Sequence, residues 1–354
     1  MDKKTKVVAN WIFIGIVMLV GQVLLGGITR LTGSGLSITE WKPIMGVLPP
    51  MSEAAWQQAF DQYKTIAQFK FINQDFGISD FKFIFFWEWF HRLWARLIGV
   101  VFLIPFVFFL VKKYFKSWMI NPLIILFILG ALQGAVGWIM VQSGLNDNDV
   151  YVSHIRLAAH FMSAMVLICY AVIFWLKLSV PSANFVSNPG LFKGVLAITL
   201  LLVVQLVYGA FMAGLKAAPV AYTYPDINGS FLPQGAFAEG SFFHNLVYNK
   251  LAVHFIHRNL AYVVAICIVM WWIKARSIAH ATSFNKAKNL AISLVLLQVT
   301  FGIITVLNGA KMTNGFFGVY EWFALVHQLT GMLLLLSLVS LVYLSSRRSN
   351  QPIA

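Results

Sequence analysis

The chain has 354 residues, 59% of them hydrophobic and only 11% charged, where an ordinary soluble domain carries roughly 25% charged residues. With 31 Phe, 12 Trp and a mean hydropathy of +0.77, it is neither a disordered chain, a disulfide scaffold nor a soluble α/β enzyme; Cys169 and Cys267 lie inside apolar runs and form neither a metal-type pair nor a loop disulfide. The formal charge of +14 suits an anionic partner or a bilayer, and the positions of the charges decide between them.

Eight stretches have the roughly 20 apolar residues that a helix needs to cross the hydrocarbon core. In chain order they are Val7–Ile28, Phe83–Val111, Ile120–Val141, His154–Trp175, Leu191–Ala213, Val253–Ile273, Leu290–Leu307 and Trp322–Leu344. Lys3, Lys4 and Lys6 precede the first, but no small-residue cleavage site follows it and seven more spans do, so it is expected to be retained rather than removed as a signal peptide. Two loops are long, Arg30–Lys82 and Gly214–Ala252, and they hold six of the 11 prolines, which favours turns over long helices. Ser52–Lys70 is the exception. Its helical spacing of Trp56, Phe60, Tyr63 and Ala67 predicts one amphipathic helix lying on the membrane surface.

The N-terminus, the 2–3 loop, the 4–5 connection, the 6–7 loop and the tail, the last through Arg347 and Arg348, together hold 14 of the 26 basic residues, with Asp2 as their only acid. The opposite side holds 12 basic and 11 acidic residues. The positive-inside rule therefore puts both termini in the cytoplasm. No basic face interleaved with aromatics lies outside the spans, so nucleic acid is not an expected partner. Met1–Asn10 lacks transit-peptide character, and the expected location is a bacterial inner membrane.

Odd-numbered spans share a Q-x-x-x-G pattern: Gln22/Gly26, Gln133/Gly137, Gln205/Gly209 and Gln298/Gly302. Even-numbered spans echo one another as well, with His91 and His257 166 positions apart and His160 and His327 167 apart. The expected fold is an all-α integral membrane protein of eight transmembrane helices in two pseudo-symmetric four-helix bundles, residues 1–180 and 181–354.

Each half then contributes two imidazoles, His91 with His160 and His257 with His327, from two helices at similar depth. That arrangement suits bis-histidine haem ligation; zinc would want three or four clustered ligands. His154 and His254 have no repeat-related histidine and read as supporting or interfacial residues. Arg92 and Arg258 follow two of the histidines, Arg96 lies a turn beyond, Arg156 precedes His160 by four residues and Arg30 ends the first span. Guanidinium groups so placed could clamp haem propionates. Glu88 precedes His91 by three residues, on one helix face, and the equivalent position in the second half is His254. This lone carboxylate is a candidate proton acceptor or stabiliser of positive charge. Glu321 reads instead as an acid complementing a helix N-terminus.

The runs G-G-I-T-R-L-T-G-S-G-L-S-I-T-E-W-K-P at Gly26–Pro43, F-W-E-W-F-H-R-L-W-A-R at Phe86–Arg96, R-L-A-A-H-F at Arg156–Phe161 and F-I-H-R at Phe255–Arg258 closely resemble the haem A synthase family of cytochrome oxidase assembly enzymes. The likeness covers nearly the whole chain, and it is to the branch without a cysteine pair in the first outer loop. The resemblance implies oxidation of the C8 methyl of haem O, through a hydroxymethyl stage, to the formyl of haem A. It further implies that His91 and His160 hold the substrate haem, His257 and His327 hold a haem B cofactor, and Glu88 is the catalytic carboxylate. A haem O synthase supplying the substrate, and a redox partner, follow from the same resemblance. The main alternative is a dihaem b-type cytochrome exchanging electrons with quinone, which would use the same histidines but needs no lone carboxylate. A haem transporter would use one labile site, and prenyl transfer would need aspartate-rich magnesium sites where only Asp147 and Asp149 stand close together.

Overall fold

The computed structural model describes residues 2–41, 45–278, 281–313 and 317–346. Arg347 and Arg348 of the tail, and Lys42 and Pro43 ending the first-loop motif, lie outside the described residues. In chain order the α-helices are α1 (Lys3–Leu31), α2 (Glu53–Tyr63), α3 (Ala67–Phe71), α4 (Ile78–Val111), α5 (Ser117–Gln142), α6 (His154–Ser179), α7 (Pro189–Gly214), α8 (Phe242–Tyr248), α9 (Lys250–Ala275), α10 (Thr282–Leu307) and α11 (Val319–Ser345). No strand occurs among the described residues.

The eight spans read from hydropathy are the eight long helices, each of 26 to 34 residues. At 1.5 Å per residue they are about 39–51 Å long, more than the hydrocarbon core requires, so their ends carry polar residues past the apolar window. Side-chain caps begin α7 and α9, as well as α1, where Asp2 accepts from Thr5 N–H. Asn188 accepts from the N–H groups of Gly190 and Leu191 ahead of α7, and Asn249 accepts from Leu251 and Ala252 ahead of α9, satisfying donors that a helix start leaves open. Asn249 also donates to Gly235 O at 2.8 Å, which ties the preceding loop to the helix. At the other end of α9, the buried Lys288 donates to Ala275 O at 3.0 Å.

The chain gathers into two compact units, one of Ile14–Leu167 with Lys311–Leu325 and one of Met1–Phe13, Ile168–Ala310 and Val326–Ala354.

In the first unit, the single amphipathic helix expected over Ser52–Lys70 is two helices, α2 and α3, broken at Lys64–Ile66. The Thr65 hydroxyl donates to Gln62 O at 2.7 Å, and Ile66 is extended at φ −88°, ψ 158°, so β-branched residues close one helix before the next begins. The apolar face was legible but its partner was not. Phe60 and Tyr63 pack on α4, with Phe60 stacked 5.1 Å from Phe81 and Trp56 edge-on 4.9 Å from Phe85. Protein, rather than lipid, covers it. The Tyr63 hydroxyl donates to Gln68 and accepts from Asn73, and burial pushes it above the ordinary tyrosine range.

Phe81 has no solvent exposure and anchors this cluster. Phe81→Ala should cost about 3–5 kcal/mol and lower the unfolding midpoint measured in detergent. Ile104→Ala, at a position 65% exposed on the same helix, should shift that midpoint little.

Candidate functional site

The repeated Q-x-x-x-G pattern has a structural reason: each copy cradles one histidine of a neighbouring helix. Gln22 Nε2 on α1 lies 3.3 Å from a ring nitrogen of His91 on α4 and donates to His91 O at 3.2 Å. Gln133 on α5 meets His160 on α6 at 3.2 Å (ring) and 3.0 Å (carbonyl). Gln205 on α7 meets His257 on α9 at 3.1 and 2.9 Å. Gln298 on α10 lies 3.3 Å from His327 Nε2 on α11, and His327 Nδ1–H donates to Gln298 O at 3.1 Å.

The glycine one turn along admits the ring. A Cβ at Gly26, Gly137, Gly209 or Gly302 would lie 3.1, 2.8, 3.3 or 2.9 Å from the Cε1 atom of His91, His160, His257 or His327. Two of these distances are shorter than real Cβ contacts permit, so close helix approach here requires glycine. In one unit the His257 and His327 rings are 6.3 Å apart with planes at 80°; in the other, His91 and His160 are close enough to interact electrostatically. All four side chains are partly accessible.

The sequence signal for a further layer is a hydroxyl residue three positions after the histidine. Ser163 donates to Gln133 Oε1 at 2.5 Å, and Thr330 donates to Gln298 Oε1. The matching positions on α4 and α9 are Trp94 and Leu260, and there Gln22 Oε1 and Gln205 Oε1 are buried without a hydrogen-bond partner.

Glu88 is 2% exposed. Its Oε2 accepts from the Ser37 hydroxyl at 2.7 Å and from Ile38 N–H at 2.9 Å, and its Oε1 accepts from Arg92 at 2.6 Å. Arg92 also donates to Ile38 O and Glu40 O. Arg258, the repeat partner of Arg92, donates to Ala221 O, Thr223 O and Asp226 O at 2.8–2.9 Å. Both guanidinium groups therefore anchor the preceding long loop to the helix that bears the histidine. Within the Arg258-bound turn, the Thr223 hydroxyl and Gly229 N–H hold the Asp226 carboxyl below its usual range. Its contribution is complete at neutral pH and is lost as pH falls through that lowered value.

Arg156 donates to Ile139 O at the end of α5. Arg30 interacts electrostatically with Tyr320 and Glu321, and Arg96 is partly buried on α4. His154 is the first residue of α6. His254 has no solvent exposure, and neither ring nitrogen has a hydrogen-bond partner. Glu321 accepts from Thr313 and Gly318 N–H at the start of α11, the helix-end role its position suggested. Among the described residues no cluster of three or more His, Cys, Asp or Glu is placed to hold a bare metal ion.

The site is thus that of a multi-span helical membrane protein with two imidazole pairs, each ring oriented by a glutamine and a glycine. Residues 9–339 match the family described as cytochrome oxidase assembly protein. The chain is 43% identical to the heme A synthase of Parvibaculum lavamentivorans, covering 84% of this chain and 85% of the relative. It is 38% identical to that of Flavobacterium johnsoniae over 95% and 96% of the two chains, and 41% identical to that of Novosphingobium aromaticivorans over 92% and 91%. The chain belongs to this cytochrome oxidase assembly family, whose relatives are named for haem A synthesis.

The donor set fits a haem. His257 and His327, from two neighbouring helices with ring centres 6.3 Å apart, would be the imidazole donors that hold a haem iron. Gly137→Ala and Gly302→Ala should each displace a histidine and reduce haem bound per purified chain. Gly99→Ala, where a Cβ meets only open space, should leave it unchanged.

Proposed function

We propose that this chain is an oxidoreductase that converts the C8 methyl of haem O to the formyl of haem A through a hydroxymethyl stage. His91 and His160 ligate the substrate haem, and His257 and His327 ligate a haem B cofactor. The single observation that carries this division of labour is Glu88: the repeat is matched in its histidines, glutamines, glycines and anchoring arginines, yet only the first half sets a buried carboxylate at this position. The second half has His254 there. A protein that merely passed electrons between two haems would have no use for that difference.

Haem B, when bound, supplies a one-electron redox centre. The chain's own residues orient and exchange protons. A carboxylate oxygen has two acceptor positions. Both on Glu88 Oε2 are filled, by Ser37 and Ile38, whereas Oε1 holds only the Arg92 contact and keeps one free to take a proton. Arg92 and the Ser37–Ile38 turn fix that oxygen in place, which is what a proton acceptor near a reacting carbon requires.

The asymmetric distribution of basic residues supports cytoplasmic termini in a bacterial inner membrane, with the histidines and Glu88 towards the outer face. The partners that follow are the lipid bilayer, a haem O synthase delivering substrate and a redox partner.

Expression in a host that makes haem O, followed by chromatography and mass analysis of extracted haems, tests the reading. Hydroxylated and formyl haem should appear; bound haem without either product would overturn it. Glu88→Gln keeps an acceptor for Ser37 and Ile38, so it should retain haem while product falls about 100-fold or more. His257→Ala and His327→Ala should each lose the resident haem B.

A further inference from the structure

Four residues beyond each glycine of the repeated pattern, one turn along and beside it on the helix surface, stand Arg30 on α1, Val141 on α5, Ala213 on α7 and Val306 on α10. Only the helix that cradles His91 has a charge there. Arg30 is therefore, like Glu88, confined to one copy of the duplication. The two residues are also level with each other. The Thr29 hydroxyl donates to Trp87 O at 3.3 Å, and Arg30 and Glu88 are the next residues on their helices, so both lie about one turn from the Gly26–His91 contact in the same direction.

The other arginines near the histidines are engaged by the protein: Arg92 by Glu88 and loop carbonyls, Arg258 by three loop carbonyls and Arg156 by Ile139 O. Arg30 differs. It is half-buried, its Nε is buried without a hydrogen-bond partner, and among the described residues its guanidinium makes neither a hydrogen bond nor an ion pair. Glu321 lies within electrostatic range, but its carboxylate is turned to Thr313 and Gly318, which donate to it. A guanidinium has five N–H donors in a planar fork that matches a carboxylate, and a cation withdrawn from water without a contact partner is unfavourable.

Resting on the substrate-haem reading above, we infer that Arg30 binds a propionate of haem O, the one that shares a pyrrole ring with the C8 methyl, and so fixes which edge of the macrocycle faces Glu88. Ligation by His91 and His160 holds the iron but leaves the ring free to turn about the axis joining the two imidazoles. A carboxylate clamp at the level of Glu88 stops that rotation with the C8 methyl, rather than another methyl, beside the proton acceptor. Arg30 is thus a positioning residue: it orients the substrate and exchanges no proton. The cofactor half has no need to present a particular methyl, and Ala213 and Val306 stand at its matching places.

The two monomethyl esters of haem O, each with one propionate blocked, test the clamp. The purified holoenzyme, carrying its resident haem B and made in cells that lack haem O, is titrated in detergent with haem O and with each ester, and binding is read from the absorbance change. Blocking the propionate on the C8-methyl ring should weaken binding roughly 10- to 100-fold, the scale of a charge-assisted contact, whereas the other ester should bind nearly as haem O does. Arg30→Gln should weaken haem O by the same factor, bind all three ligands alike and retain its full haem B content. A parent protein that binds both esters equally, or an Arg30→Gln protein that still discriminates between them, would overturn the inference; the parent comparison decides even where the variant does not fold. Failure of the underlying ligand assignment would look different: His91→Ala and His160→Ala would then bind haem O as tightly as the parent.

Discussion

Everything in this protein that bears on chemistry depends on how closely a histidine-bearing helix can approach its neighbour. The Cε1 edge of the imidazole comes so close to a glycine that a Cβ there would crowd it, and the glutamine one turn away holds both its ring and, in three of the four cases, its main-chain carbonyl. Within a membrane there is little hydrophobic drive between helices, so association rests on small residues and interhelical hydrogen bonds. The Q-x-x-x-G pattern supplies both in five residues. A helix pair assembled by this contact has its ring orientation decided by the same event, so assembly and site formation are one process.

The duplicated elements separate what any such site requires from what only one half has. Histidine, glutamine and glycine recur four times. The arginine that draws a long loop onto its helix recurs twice, as Arg92 and Arg258. Set against this common frame, Glu88 and its Ser37–Ile38 cradle stand out as an addition to one half, while His254 sits fully buried at the matching place in the other with neither ring nitrogen engaged. Duplication gives a built-in comparison, since a feature present in one copy alone is not required by what the two copies share.

Much of this was legible in the sequence. Hydropathy gave all eight spans because a helix is the only single segment that satisfies its own backbone in lipid, and the spacing of the histidines exposed the repeat. Less visible was anything set by contact between segments far apart in sequence. The Q-x-x-x-G motif was recognisable as a repeat, but nothing in its spacing says that a histidine 69 residues away fills it. Arg92 and Arg258 have the chemistry of propionate clamps, and only the loop carbonyls around them show how their donors are engaged. The face of α2 read correctly as apolar; that α4 covers it depends on how the chain turns at Ile66. Ser163 and Thr330 carried a pattern, a hydroxyl three residues after histidine, but two short matches have no meaning until the glutamines are seen beside them.

The anchoring arginines also bear on traffic. Arg258 makes three hydrogen bonds to one loop, and Arg92 makes two to another while holding Glu88. Charge-assisted bonds of this kind are each worth about 1.5–3 kcal/mol, and lifting either loop would break several at once and strand a buried cation. These loops are roofs rather than doors. For a flat, apolar molecule the path of least resistance would then run sideways, between helices whose outer faces carry exposed apolar side chains, and the bilayer would serve as the reservoir on that path.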